Sequence, residues 1–251
     1  MRRLLLLSIC LSLLLCLCAC GGGGATPGTP AATRSRPAVQ SGEVQFSPPS
    51  GPVTDAVLHT TAGDIRVRLY PGYAPMATEN FLGLARQGYY DGTPFHRVVQ
   101  DFVVQGGDAS GTGTGGESIW GRPFFSEYSP RLHHYAGAVC MAAADGQADT
   151  HLSQFYIVAA PAGNLDEEAL AALAAAGVRE EVVETYRQAG GLPYLDYTDT
   201  VFGQVVEGMD VVDRIAAGET DEEGRPSEPV TLLSVTVEEE SGEEAAQDSS
   251  V

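Results

Sequence analysis

The chain has 251 residues, 14 Lys+Arg against 33 Asp+Glu, and a formal net charge of −19. Every cation is arginine, which excludes Schiff-base and P-loop lysine chemistry, and so acidic a surface repels nucleic acid. Both ends have compositions that build no core, so one folded domain is expected between them.

Met1-Arg2-Arg3 is a positive start, and Leu4 to Leu17 is an apolar run too short for a comfortable membrane span. The run closes in Leu17-Cys18-Ala19-Cys20, which resembles the lipobox of bacterial lipoproteins. That resemblance implies a signal peptide over 1–19, lipid attachment at Cys20 and an extracytoplasmic domain held to the membrane through that lipid. A plain secretory signal is the alternative. From Gly21 to about Pro52 the chain is mainly Gly, Ala, Thr, Ser and Pro, so 20–52 reads as a lipidated flexible linker with a reach of roughly 30 Å. Of five cysteines only Cys140 falls in the folded part, which leaves no intrachain disulfide there; it reads as a small buried apolar residue.

The domain is expected over 53–237. Val57, His59 and Thr61 alternate with Leu58 and Thr60, and after a turn at Ala62-Gly63-Asp64 come Ile65, Val67 and Leu69 alternating with Arg66 and Arg68, the pattern of a hairpin. Pro75 opens a helix that Gly88 ends near Gln87. Short strands are predicted at Phe95 to Val99, Phe102 to Gln105, Ala138 to Ala142, Phe155 to Ala159, Val201 to Val205 and Leu232 to Val237, with a second helix at Met209 to Ala216. Asp166 to Ala189 interrupts this rhythm. Glu167 and Glu168 in a first turn, then Leu170, Leu173 and Ala174, and after Gly177 the series Val178, Val182, Val183 and Tyr186, predict two short amphipathic helices inserted over about 166–190. The acidic stretch 238–251 reads as a solvated tail. Many short strands with Gly turns and few helices predict a mainly β fold, a closed antiparallel barrel.

The informative stretch is Phe95-His96-Arg97-Val98-Val99 followed by Asp101-Phe102-Val103-Val104-Gln105-Gly106-Gly107-Asp108. With Thr61-Ala62-Gly63-Asp64-Ile65, Glu79-Asn80-Phe81, Gly88-Tyr89-Tyr90-Asp91-Gly92, Gly113-Thr114-Gly115-Gly116, Ser153-Gln154-Phe155-Tyr156-Ile157 and Leu195-Asp196 ahead of Val201-Phe202-Gly203, it resembles the cyclophilin family of peptidyl-prolyl isomerases over about Val53 to Val237. The resemblance implies a closed eight-stranded cyclophilin-like β-barrel with two capping helices, proline-containing polypeptides as substrates, and no cofactor or metal.

A prolyl bond resists rotation by about 18–20 kcal/mol. A twisted bond exposes a nitrogen lone pair, so a fixed donor aimed there favours the transition state over the planar ground state. Arginine stays charged and offers several donors. By resemblance Arg97 is that donor, Phe102 and Gln105 act with it, and Val103, Tyr156 and Leu195 wall a socket for the proline ring. Gln154, Ala142 and Ala143 would hold the residues before the proline, and Gly113 and Thr114 border a neighbouring pocket. Departures fall at Val103, Ala143 and Tyr156, where methionine, asparagine and phenylalanine are usual, and at Tyr194 and Asp199, where tryptophan and histidine are common. Tyr194 implies weak cyclosporin binding, and Asp199 a preference for basic residues after the proline. Leu165-Asp166 is an alternative match for Leu195-Asp196. His96, His133 and His134 lack supporting ligands at metal spacing and read as packed or exposed histidines. A monomer is expected, and a non-catalytic peptide-binding or scaffold module at the cell envelope is the alternative function.

Overall fold

The computed structural model describes Arg36 and residues 38–240; the expected signal, Cys20 and residues 241–251 lie outside the described residues. The strands are β1 (Val53–Thr60), β2 (Gly63–Leu69), β3 (Thr93–Pro94), β4 (Arg97–Val99), β5 (Val103–Gly106), β6 (Ala138–Ala143), β7 (His151–Val158), β8 (Val201–Glu207) and β9 (Thr231–Glu240). They form one antiparallel sheet in the order β3-β9-β1-β2-β8-β6-β7-β5-β4. The four α-helices among the described residues are α1 (Pro75–Arg86), α2 (Glu167–Ala175), α3 (Glu180–Ala189) and α4 (Met209–Ala216).

The expected closed, eight-stranded barrel is corrected to a curled, nine-stranded half-barrel, because β3 and β4, the two edges of the sheet, do not pair with one another. Of the strand predicted at Phe95 to Val99 only Arg97–Val99 forms, and the preceding Thr93–Pro94 makes a short strand of its own. Thr93–Pro94 pairs with β9, whereas Arg97–Val99 pairs with β5, and the chain crosses from one edge to the other through Phe95 and His96, both buried. Two stretches separated by two residues of an advancing chain cannot turn back to pair with one another.

The predicted hairpin β1–β2 forms, with Thr60 opposite Gly63 and Leu58 opposite Ile65, and its turn is Thr61-Ala62 rather than Ala62-Gly63-Asp64. Leu58, Ile65 and Val67 enter the main core with Phe81 and Leu84 of α1, Phe155 and Ile157 of β7 and Phe202 of β8. Pro75 stands in the first turn of α1, and the N–H groups of Met76 and Ala77 donate to the Glu127 carboxylate from a distant loop (3.1 and 2.9 Å), so a remote acid does the work of an N-cap. In the insertion Asp166 caps α2 by accepting from the Ala169 N–H (2.8 Å). Leu170 of α2 packs with Val182, Val183 and Tyr186 of α3 against Tyr135.

Two boundaries also change. The tail expected from residue 238 begins too early, since Glu238 and Glu239 lie in β9 opposite Asp55 and Thr54 and pair with Arg66 (2.6 Å) and Arg86 (2.5 Å). The described part of the expected linker is not a tether. Arg36 forks onto Asp213 of α4, Gln40, Ser41 and Gly42 bond along α3, and Val39 and Phe46 join the apolar cluster of the insertion. Glu43 is buried on Arg179 (2.8 Å), and Gln45 reaches His133 and Gln204. Scattered apolar and amide side chains, diluted in a Gly, Ser and Pro background, make this strap.

Candidate active site

β4 and β5 form a hairpin in which Arg97 stands opposite Gln105. Asp101 takes φ +58° in the connecting turn, a conformation aspartate tolerates, and the Phe102 N–H closes the turn on Val99 O (3.1 Å). The turn brings the Phe102 ring under Arg97, whose Cζ lies 5.8 Å from the ring centroid, so the guanidinium is held against an aromatic face. Arg97 Nη1 also donates to Gln105 Oε1 at 3.4 Å, a long contact. Gln105 Nε2 donates to Gln154 Oε1 (3.0 Å), and Gln154 Nε2 donates to the carbonyls of Gly113 (3.0 Å) and Gly115 (2.7 Å). A continuous chain of amides thus runs from the guanidinium to the glycine-rich loop.

Pairing of β5 with β7 sets Gln105 opposite Tyr156 and Val103 opposite Val158. Gln154 and Tyr156, two apart on β7, share a face. Val103 and Tyr156 are buried and pack in one apolar cluster with half-buried Phe102, Ala142 and Leu195. Leu165 packs instead in the cluster of the insertion, so space favours Leu195 over the alternative match. The close approach of β5 to β7 depends on Gly107, at φ +84°, where a Cβ would stand 2.5 Å from Ser153 O.

The remaining predicted residues stand around this cluster. The Tyr156 hydroxyl donates to Asp199 Oδ2 (2.8 Å), which satisfies the polar end of a buried ring, and burial pushes that phenol well up. The Ala142 carbonyl faces His151 Nδ1 (3.3 Å), and Ala143 pairs with His151 across β7. Burial lowers the His151 imidazole, whose other nitrogen sits between Ser126 and Thr200 hydroxyls. The Gly113 N–H donates to Asp108 Oδ2 (2.7 Å), and the Thr114 hydroxyl meets that of Thr112. Tyr194, 66% exposed, stands outside the cluster in the 3-10 turn Pro193–Leu195. Cys140 is buried beside Tyr156, and burial pushes its thiol well up.

Two carboxylates that shape the site were missed in the sequence. Asp108 is fully buried and accepts from Ser110, Gly113 and Gly115, organising the loop that Gln154 grips; burial alone would raise its carboxyl, but those bonds hold it at about 2. Hydroxyl residues two and four positions after an Asp in a Gly-rich run were a readable turn signal. Asp196, next to Leu195, accepts from His133 Nδ1 (2.8 Å), His134 Nδ1 (3.0 Å) and the Tyr186 hydroxyl (2.8 and 2.9 Å). Burial works to raise its carboxyl, and the two histidines bring it down to about 2. No local pattern announced that contact. Among the described residues no group of His, Cys, Asp and Glu is placed to hold a metal ion.

Fold and site together set an apolar cluster beside a cation held on an aromatic face, at one edge of a curled sheet. The family described as cyclophilin type peptidyl-prolyl cis-trans isomerase/CLD matches residues 56–237. A protein of Staphylococcus saprophyticus named "putative peptidyl-prolyl cis-trans isomerase" is 42% identical over 181 residues, 72% of this chain and 90% of that one. One of the same name from Staphylococcus aureus USA300 is 39% identical over 201 residues, 80% and 95% of the two chains. A crystal structure of a Cryptosporidium parvum cyclophilin type peptidyl-prolyl cis-trans isomerase, in the presence of the dipeptide Ala-Pro, is 28% identical with a TM-score of 0.59, covering 73% of this chain and 98% of that one. The chain therefore belongs to the cyclophilin-type peptidyl-prolyl cis-trans isomerases.

Proposed function

We propose that this isomerase seats the proline ring in the cluster of Phe102, Val103, Tyr156 and Leu195, and that Arg97 donates to the proline nitrogen as the bond twists. The observation that carries the reading is the guanidinium held over the Phe102 ring at the edge of that cluster. Arg97 gains most when the nitrogen lone pair is released from resonance, so its bond is made chiefly in the transition state. Gln105 positions Arg97, and Gln154 with the loop at Gly113 and Thr114 supports the substrate strand running along Ala142 and Ala143. The enzyme acts on exported or surface polypeptides, carried outside the membrane by lipid on Cys20; a diacylglycerol adduct on that cysteine in the mature protein's mass spectrum is the check.

The deciding assay is a protease-coupled proline-peptide assay on the wild type and on Arg97→Ala. Loss of one preorganised donor lowers kcat/KM by about 10²–10³. Equal rates for the two proteins would remove this mechanism, and the absence of catalysis by either would favour a non-catalytic binding module.

A further inference from the structure

Beside the socket lies a second, narrow cleft, walled by Tyr128, Leu132, His134, Tyr197, Asp199 and Val201. Its volume of about 10 Å³ admits one group the size of a water or an ammonium. It shares Asp199 with the socket, since that carboxylate holds the Tyr156 hydroxyl.

Beside the hydroxyls of Ser129 and Tyr197, the cleft offers two acceptors that lack a donor. His134 is 1% exposed, with Nδ1 on Asp196 and Nε2 buried without a hydrogen-bond partner among the described residues. The Asp196 carboxylate accepts only, so Nδ1 carries the proton in that contact, and Nε2 is the ring nitrogen left without a partner. Asp199 spends Oδ2 on Tyr156, and no described group bonds Oδ1. Tyr128 and Tyr197, 44% and 58% exposed, present aromatic rings at the same opening. Glu127 also reaches the cleft, but its two oxygens are taken by the N-terminus of α1. A planar guanidinium exceeds a space of about 10 Å³, whereas the compact tip of a lysine fits it and meets the carboxylate of Asp199. The chain has no lysine of its own, so the guest must come from another polypeptide.

We propose that the cleft of Tyr128, His134, Tyr197 and Asp199 receives the ammonium of a client lysine lying within two residues of the isomerised proline. The proposal rests on the isomerase reading, and it names the class of client sequence that the socket alone does not select.

The test measures isomerisation by NMR exchange spectroscopy with the purified full chain at pH 8, above the ordinary histidine range. The peptides carry one proline and place lysine, arginine or norleucine at each of the two positions on either side of it. At one position lysine should exceed norleucine in kcat/KM by about five- to tenfold, with arginine below lysine. Asp199→Asn and Tyr197→Asn should each draw the lysine-to-norleucine ratio toward one, and Asn tolerates the positive φ of Tyr197. Glu207→Gln, at an acid 76% exposed in β8, should leave the ratio as it is. Lysine and norleucine equal at all positions, arginine equal to lysine, or a Glu207→Gln ratio as low as that of Asp199→Asn would each overturn the proposal while the isomerase reading stands. No turnover of the norleucine peptides would remove the isomerase reading itself.

Discussion

Asp108 and Asp196 shape the site without contributing to the socket cluster. Both folded carboxyls stand at about 2, below their ordinary 3.8, so each stabilises the fold above pH 3.8 and loses that contribution as the pH falls toward 2. The depression is worth about 2 kcal/mol per group at neutral pH. Asp196→Asn should therefore lower the urea-derived stability at pH 7, and its deficit relative to the wild type should shrink between pH 4 and pH 2. A deficit constant across that range would show that Asp196 contributes through shape rather than charge. At this scale the structure brings together Arg97, Phe102, Gln105, Val103 and Tyr156, which the sequence strings single out, because β4, β5 and β7 pair side by side. Asp196 with its histidines escaped, because a contact between residues over 60 apart leaves no local periodicity.

Helices α2 and α3 were legible from their acidic first turns and apolar spacing, and β1–β2 from its alternation and turn. Sheet closure was not, since nothing local shows that Thr93–Pro94 and Arg97–Val99, joined through buried Phe95 and His96, lie on opposite edges. Nor was the strap over residues 38–47, whose composition resembles linker while a few side chains bind the insertion. Phe46 packs on Tyr135 at 5.4 Å between centroids, and Tyr135 packs on Tyr186 at 4.5 Å. Tyr186 in turn bonds Asp196, so the strap backs the loop that carries Leu195. Phe46→Ala should cost about 1–3 kcal/mol in urea unfolding, less than a full core truncation because Phe46 is only half-buried. It should also raise KM for proline peptides more than it lowers kcat, since the loop walls the socket but does not carry Arg97. Unchanged stability would return this segment to the status of a tether.

Across the whole molecule, charge works against compactness. Most arginines in the fold are committed to local pairs, among them Arg66 to Glu238, Arg68 to Asp55, Arg179 to Glu43 and Arg214 to Asp210. A pair exposed at both ends, such as Arg214 with Asp210, contributes about 0–1 kcal/mol and weakens with salt, whereas those on buried Asp55 and Glu43 are screened less. The opposing term is self-repulsion from a net charge of −19, which salt also screens. The two effects predict opposite slopes. With 33 acids against 14 bases the unpaired excess exceeds the paired set, so repulsion dominates and screening should stabilise. Raising sodium chloride from 10 mM to 150 mM shortens the screening length from about 30 Å to about 8 Å, which screens repulsion between acids farther apart than that more than attraction within the bonded pairs. A gain of about 1 kcal/mol corresponds to a rise in Tm of about 2–4 °C for a domain of this size. Calorimetry across that salt range should show the rise; a fall in Tm would mean that the arginine pairs, rather than the acid excess, set the electrostatic balance of the fold.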